Sequence, residues 1–293
     1  MPVAKNELAA KELIKHFRHV GTWLSVVPNK SKWVNKDVIK LTEIGADPKV
    51  LINNNTYPIA VASREDDTVA ISLFKYDTEN TKITDDEIYA LPYDKPGSVQ
   101  EQHRETLEET TAEHALHSLA PMGNTTNTPI LVTTGEDDGT GRRRLRSADL
   151  INYKTQLNDL KIPKKGRVLV LCSAHIADLL LEDKKLETQY HNHKDGMIAK
   201  NYYGFELYED IYAPMYDNSL NKIPFSADTQ GKEASVFFLK KRVAKAKGSA
   251  KRYFKKSEDD PEYRETKVGY RIYFIAIPIS EKGQGAIVSG TAA

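Results

Sequence analysis

Between Pro96-Gly97 and Ala120-Pro121 the chain runs about 22 residues with no glycine or proline. At about 1.5 Å per residue this is a helix roughly 33 Å long, and it opens on a start signal. Ser98-Val99-Gln100-Glu101 has the Ser-x-x-Glu form in which the hydroxyl accepts from one unpaired amide and the glutamate reaches back to another. Its apolar stripe (Val99, Leu107, Ala115, Leu116 and Leu119) is thin, and His103, His114 and His117 are spread along it. A helix this poor in apolar surface buries only part of its circumference. It is therefore expected to lean on a sheet, which makes the chain a mixture of long helix and strands.

The flanking segments supply those strands. Over Val38–Tyr76 the phrases VIKLTEI, KVLINN, PIAVAS and TVAISLFKY are rich in β-branched residues and are separated by turn signals. In Thr68–Tyr76 the positions Val69, Ile71, Leu73 and Lys75 share one face, so an extended two-sided hairpin is expected. Such a hairpin needs a neighbour to lie on. Thr84-Asp85-Asp86-Glu87 is a second helix-start signal. After the long helix, 121–146 reads as a linker with a short strand at Pro129–Thr133. A helix follows from Ser147 to Leu160, then a buried-type strand at Arg167–Cys172, then a helix capped by Ser173 and ending near Glu182. Helix alternating with strand marks an α/β lobe. Ala234–Leu239 and Val268–Ile279 read as further strands, the latter apolar on both faces as an interior strand would be.

A length of 293 residues allows one large domain or two ordinary ones. With 42 basic against 41 acidic residues the net charge is +1, so the chain as a whole is not an electrostatic nucleic-acid binder. The single cysteine, Cys172, excludes an intrachain disulfide and a thiolate-rich metal cage. The N-terminal segment carries acids and lacks the apolar core of a signal peptide. No apolar run approaches the roughly 18 residues of a membrane span. The expectation is a chain that is soluble and intracellular when made.

Few residues suggest chemistry. Cys172 and His175, with His191 and His193 some twenty residues on, lack the convergent spacing of a zinc site or a third group to orient a nucleophile. Gly135–Gly141 is acidic and fits neither a calcium loop nor a phosphate loop. Two basic runs stand out. Arg142, Arg143 and Arg144 form one, and Lys240–Lys256 holds nine basic residues in seventeen, with Glu258-Asp259-Asp260 directly after. The second run, interleaved with Tyr253 and Phe254, suits nucleic-acid contact, charge pairing with a neighbouring subunit, or a solvated face.

The order of elements resembles the Hong Kong 97-type major capsid protein of tailed phages. The features that carry the resemblance are the hairpin returning through Thr68–Tyr76, the long helix, the strand-then-helix Gly166–Leu171 with Ala177–Leu180, and the strands Asp195–Lys200 and Tyr203–Tyr208. The resemblance implies an α+β fold with an N-terminal arm (1–25) and an extended hairpin, the E-loop (41–78). A peripheral domain (26–40, 79–122 and 232–280) would carry the spine helix 98–120, and an axial domain would take 123–231 and 281–293. It further implies hexamers and pentamers tiling an icosahedral head around double-stranded DNA, held with weak non-specific contact. A separate scaffolding protein, a portal and decoration proteins would be partners. No catalytic activity, cofactor, metal or membrane contact is implied, and the place of the chain is the virion, assembled in host cytoplasm. Arg142, Arg143, Arg144, Lys240, Lys241 and Arg242 opposite Glu105, Glu108 and Glu109 are the candidate inter-subunit contacts. The other readings are a nucleic-acid binder using 240–256 and an encapsulin-like compartment shell.

Overall fold

The computed structural model describes residues 23–43, 67–86, 95–191, 197–227, 229–260 and 262–292. A short helical turn, Trp23–Val26, buries Trp23 and Leu24 and leads to β1 (Val34–Asn35) and β2 (Val38–Glu43). Lys36 and Asp37 form the turn between them, with φ of 49° and 59°, as a tight two-residue hairpin requires. β3 (Asp67–Ser72) returns antiparallel to β2, with Val38 opposite Ser72 and Glu43 opposite Asp67. The expected return strand Thr68–Tyr76 is interrupted at Leu73. β4 (Phe74–Asp77) and β5 (Thr81–Thr84) leave this ribbon and join a different sheet. The segments KVLINN and PIAVAS, most of the N-terminal arm and Glu87 of the second start signal lie outside the described residues.

The long helix, α1 (Lys95–Leu119), begins three residues before the predicted start. Pro96 sits in its first turn, where a missing N–H leaves nothing unsatisfied, so Ser98 is inside the helix and is not its cap. Seven residues are buried: Val99, His103, Leu107, Thr111, Ala115, Leu116 and Leu119. Thr111 can join this stripe because its hydroxyl donates to the Leu107 carbonyl at 2.6 Å. The buried face is thus longer than the apolar residues alone indicate.

Next come β6 (Ile130–Val132), β7 (Arg142–Arg143), α2 (Ser147–Asp159), β8 (Arg167–Cys172), α3 (Ser173–Glu182) and α4 (Lys184–His191). β9 (Met197–Tyr202), β10 (Phe205–Asp210), β11 (Met215–Tyr216) and β12 (Lys232–Leu239) follow. Ser173 is the first residue of α3 and makes no side-chain cap; the capping position is Cys172. The chain ends through β13 (Val243–Lys255), β14 (Glu265–Pro278), β15 (Gln284–Val288) and β16 (Gly290–Thr291).

A seven-stranded sheet has the order β6-β15-β12-β8-β10-β9, with β11 added on β12. β8 is buried at every position, and its alternation decides the layers. Leu169 and Leu171 pack with Tyr153 and Leu157 of α2 and with Phe205 and Phe237. Val168 and Val170 face the other way, with Phe238, Trp23 and the C-terminal residues Ala115, Leu116 and Leu119 of α1. The N-terminal half of α1 leaves this sheet and lies on a second one, where Leu107 meets Val268, Tyr270 and Ile272 of β14. One helix therefore ties two sheets together.

The second sheet is built on a long antiparallel ribbon of β13 and β14, with β4 and β5 on the far side of β14. β13 coincides with the basic run Lys240–Lys256. Alternation is present there, with Ala244 and Ala246 buried between partly exposed Lys245 and Lys247. The charged residues mask it.

Candidate assembly surface

Cys172 and His175 serve packing. His175 is fully buried, with Nδ1 2.6 Å from Ser235 Oγ and Nε2 3.0 Å from Ser289 Oγ. Burial holds its pKa down at about 4 and pushes the Cys172 thiol up to about 11. A thiol this reluctant to ionise, beside an imidazole this reluctant to take a proton, is poorly suited to nucleophilic attack. His191 is exposed at the end of α4, and His193 lies outside the described residues.

The arginine run divides. Arg142 makes a bidentate pair with Asp178 (Nη1–Oδ2 2.7 Å, Nη2–Oδ1 2.9 Å), and its Nε donates to Asp138 at 2.8 Å. Asp178 also accepts from the Leu145 amide at 2.9 Å. The Arg142 guanidinium is thus committed within the subunit and stitches the 135–146 loop to α3. Arg143 donates to the Thr291 carbonyl at 3.2 Å, while Arg144 is partly exposed.

Much of the second basic run is also engaged internally. Lys240 pairs with Glu206 at 2.6 Å, Arg242 donates to the Lys282 carbonyl at 2.7 Å, and Lys245 donates to the Leu24 carbonyl at 2.6 Å. Lys255 meets Asp260 at 2.9 Å and Lys256 meets Glu258 at 3.5 Å, so the acidic block after the run closes on the run itself. The Arg252 guanidinium lies 4.3 Å from the Phe254 ring centroid, occupying the face a base would stack on. Lys241 is exposed.

Glu105 and Glu109 are exposed on α1, and Glu108 is partly covered. Glu109 accepts from the Tyr212 hydroxyl. Burial, then the nearby carboxylates of Glu109 and Asp210, raise the pKa of Glu113 one turn further on. With Glu79 on the opposite wall, Glu105 and Glu109 line a groove of about 750 Å³ between α1 and the β4–β5 connection.

Two positioning residues escaped sequence reading. Lys222 places its ammonium 2.8 Å from both the His117 and Ala120 carbonyls, capping the C-terminus of α1. Asp37, in the β1–β2 turn, fixes the base of the β2–β3 ribbon. Its carboxylate accepts from the Ser249 amide at 2.8 Å and the Ser249 hydroxyl at 2.9 Å, and its carbonyl accepts from the Leu73 amide at 2.9 Å. The only prior signal was the turn-like pair Lys36-Asp37 between Val34 and Val38.

No family model matches the chain, and no curated protein does. Solved capsids share its fold almost end to end. The capsid of Ralstonia phage GP4 is 8% identical with a TM-score of 0.66, over 92% of this chain and 87% of that one. The capsid of cyanophage P-SCSP1u is 13% identical with a TM-score of 0.62, over 93% and 88%. A virus-like particle from Pyrococcus furiosus is 9% identical with a TM-score of 0.55, over 95% and 96%.

Proposed function

We propose that this chain is the major capsid subunit of a tailed-phage head. The observation that carries the reading is a shared fold covering about nine-tenths of both this chain and the phage capsid subunits it resembles. In this reading α1 is the spine helix and the β2–β3 ribbon is the root of the E-loop. Residues 26–40, 79–122 and 232–280 make the peripheral domain, and 123–231 with 281–293 the axial domain. Copies form hexamers and pentamers around DNA, with a separate scaffolding protein, a portal and decoration proteins as further partners. Each contact can be weak because closure multiplies it. The internal pairing of Lys240 and Arg142 moves the inter-subunit role toward Lys241, Arg144, Glu105 and Glu109.

Light scattering on size-exclusion fractions, followed by electron microscopy of the same fractions, tests this. Rings of five or six subunits or closed shells are the expected result. A monomer at all salt and protein concentrations, with and without a co-expressed scaffold, would reject it.

A further inference from the structure

A groove of about 820 Å³ opens where the end of α2 and the 160–166 loop meet the β9–β10 turn. Lys154, Lys164, Lys165 and Lys200 line it, and Glu206, the one carboxylate there, is already taken by Lys240. Among the described residues, none of those four lysines has a carboxylate within 4 Å. Lys164, Lys165 and Lys200 are exposed. The lining is held in shape by backbone that only glycine adopts easily. Gly166 and Gly204 have φ of 82° and 92°, and the Gly204 amide donates to Asn201 Oδ1 at 3.0 Å.

This cationic groove belongs to a chain of net charge +1. The positive charges of Lys154, Lys164, Lys165, Lys200 and the buried Arg167 leave an excess of negative charge elsewhere, and the groove along α1 collects part of it at Glu79, Glu105 and Glu109, its one lysine, Lys75, meeting Asp77 at 3.5 Å. In a chain of near-zero net charge, a basic groove and an acidic groove on different elements are complementary between copies. Head-to-tail contact between different patches is also the kind that closes rings.

We infer that the lysine groove of one subunit receives the acidic face of α1, at Glu105 and Glu109, from a second copy. This rests on the shell reading for the existence of a ring and adds which two surfaces meet.

Reciprocal charge reversal tests it. K164E/K165E and E105K/E109K are each expected to raise the concentration at half assembly by about tenfold or more, because like charges are brought together. Combining all four substitutions in one chain restores assembly in rings of five and six alike, since each groove again meets a face of opposite charge; that rescue also shows that the substituted surfaces fold. If the wild type assembles and both variants assemble equally well, or the combined variant is folded by circular dichroism and does not assemble, the pairing is wrong while the shell reading stands. If K164E/K165E assembles normally but loses retention on duplex DNA at low salt, the groove is a phosphate surface and the inference fails. A wild type that never assembles overturns both.

Discussion

The Asp37 carboxylate grips Ser249 through both its amide and its hydroxyl, at a place where β13 carries one residue more than β14. Lys247 pairs with Phe274 and Ala250 with Ile272, so Gly248 and Ser249 together face Tyr273. This is a β-bulge, which bends its strand and increases the local twist. A Cβ on Gly248 would lie 2.4 Å from Asp37 Oδ1 and 2.9 Å from Tyr273 Cβ, so only glycine permits the approach. The base of the β2–β3 ribbon is tied to β13 here.

Replacing Asp37 by Ala should therefore cost about 1–3 kcal/mol, since the Ser249 amide loses its acceptor in a half-buried site. Urea unfolding measures the loss, and hydrogen exchange at the Ser249 and Leu73 amides locates it. Fast exchange at Ser249, whose acceptor is removed, is expected, with β14 unchanged and Leu73 still donating to the backbone carbonyl of residue 37. Slow exchange at Ser249 in D37A would mean that the bulge holds itself.

Arg142 should matter far more to stability than its neighbours Arg143 and Arg144. The Asp178 side chain is only 4% exposed and depends on the guanidinium for two of its hydrogen bonds. R142A leaves a buried carboxylate without its countercharge, a loss of about 3–5 kcal/mol. R144A, on a partly exposed side chain, should fall within about 0.5 kcal/mol of wild type. Equal effects in denaturant titration would contradict the pairing.

His175 predicts a pH dependence of stability. Its pKa is about 4 in the folded chain, against an ordinary value of 6.5. Between these values the unfolded chain holds more protons, so stability falls as pH drops through that window, by up to about 3 kcal/mol for this group. His103, His114 and His117 are shifted the same way by burial and add to the slope. H175Q should flatten the difference between urea midpoints at pH 7 and pH 4.5. An unchanged difference would assign the slope to the helix α1 histidines.

The large features were legible because local signals carried them. β8 reads as an unbroken apolar run, Arg167–Cys172, and α1 as a long stretch free of breakers. The start of α1 was misread because Pro96 and Gly97 look like a stop, although proline is well suited to a first helical turn. β13 was hidden because lysines occupy its outward positions and alanines, only weakly apolar, its inward ones. The assembly candidates were partly misplaced for a different reason. Lys240 finds Glu206 and Arg142 finds Asp178 across 34 and 36 residues of sequence, pairings that no local pattern encodes. The lysine groove is invisible for the same cause, since Lys154, Lys164, Lys165 and Lys200 converge only when α2 packs beside the β9–β10 turn.

Lys222 gives the last prediction. Burial lowers its pKa to about 8, and its charge in turn lowers those of His114 and His117. K222M removes two hydrogen bonds to the end of α1 and also a costly buried charge, so the effects oppose each other. The net destabilisation at pH 7 should be about 1 kcal/mol or less, well below the sum expected of two charged hydrogen bonds. The imidazoles report the electrostatic half separately. In NMR titrations the pKa values of His114 and His117 should rise in K222M, while that of His103, at the other end of the helix, stays put. A variant that loses several kcal/mol with no shift in either imidazole would show that capping dominates and that the buried charge is already compensated.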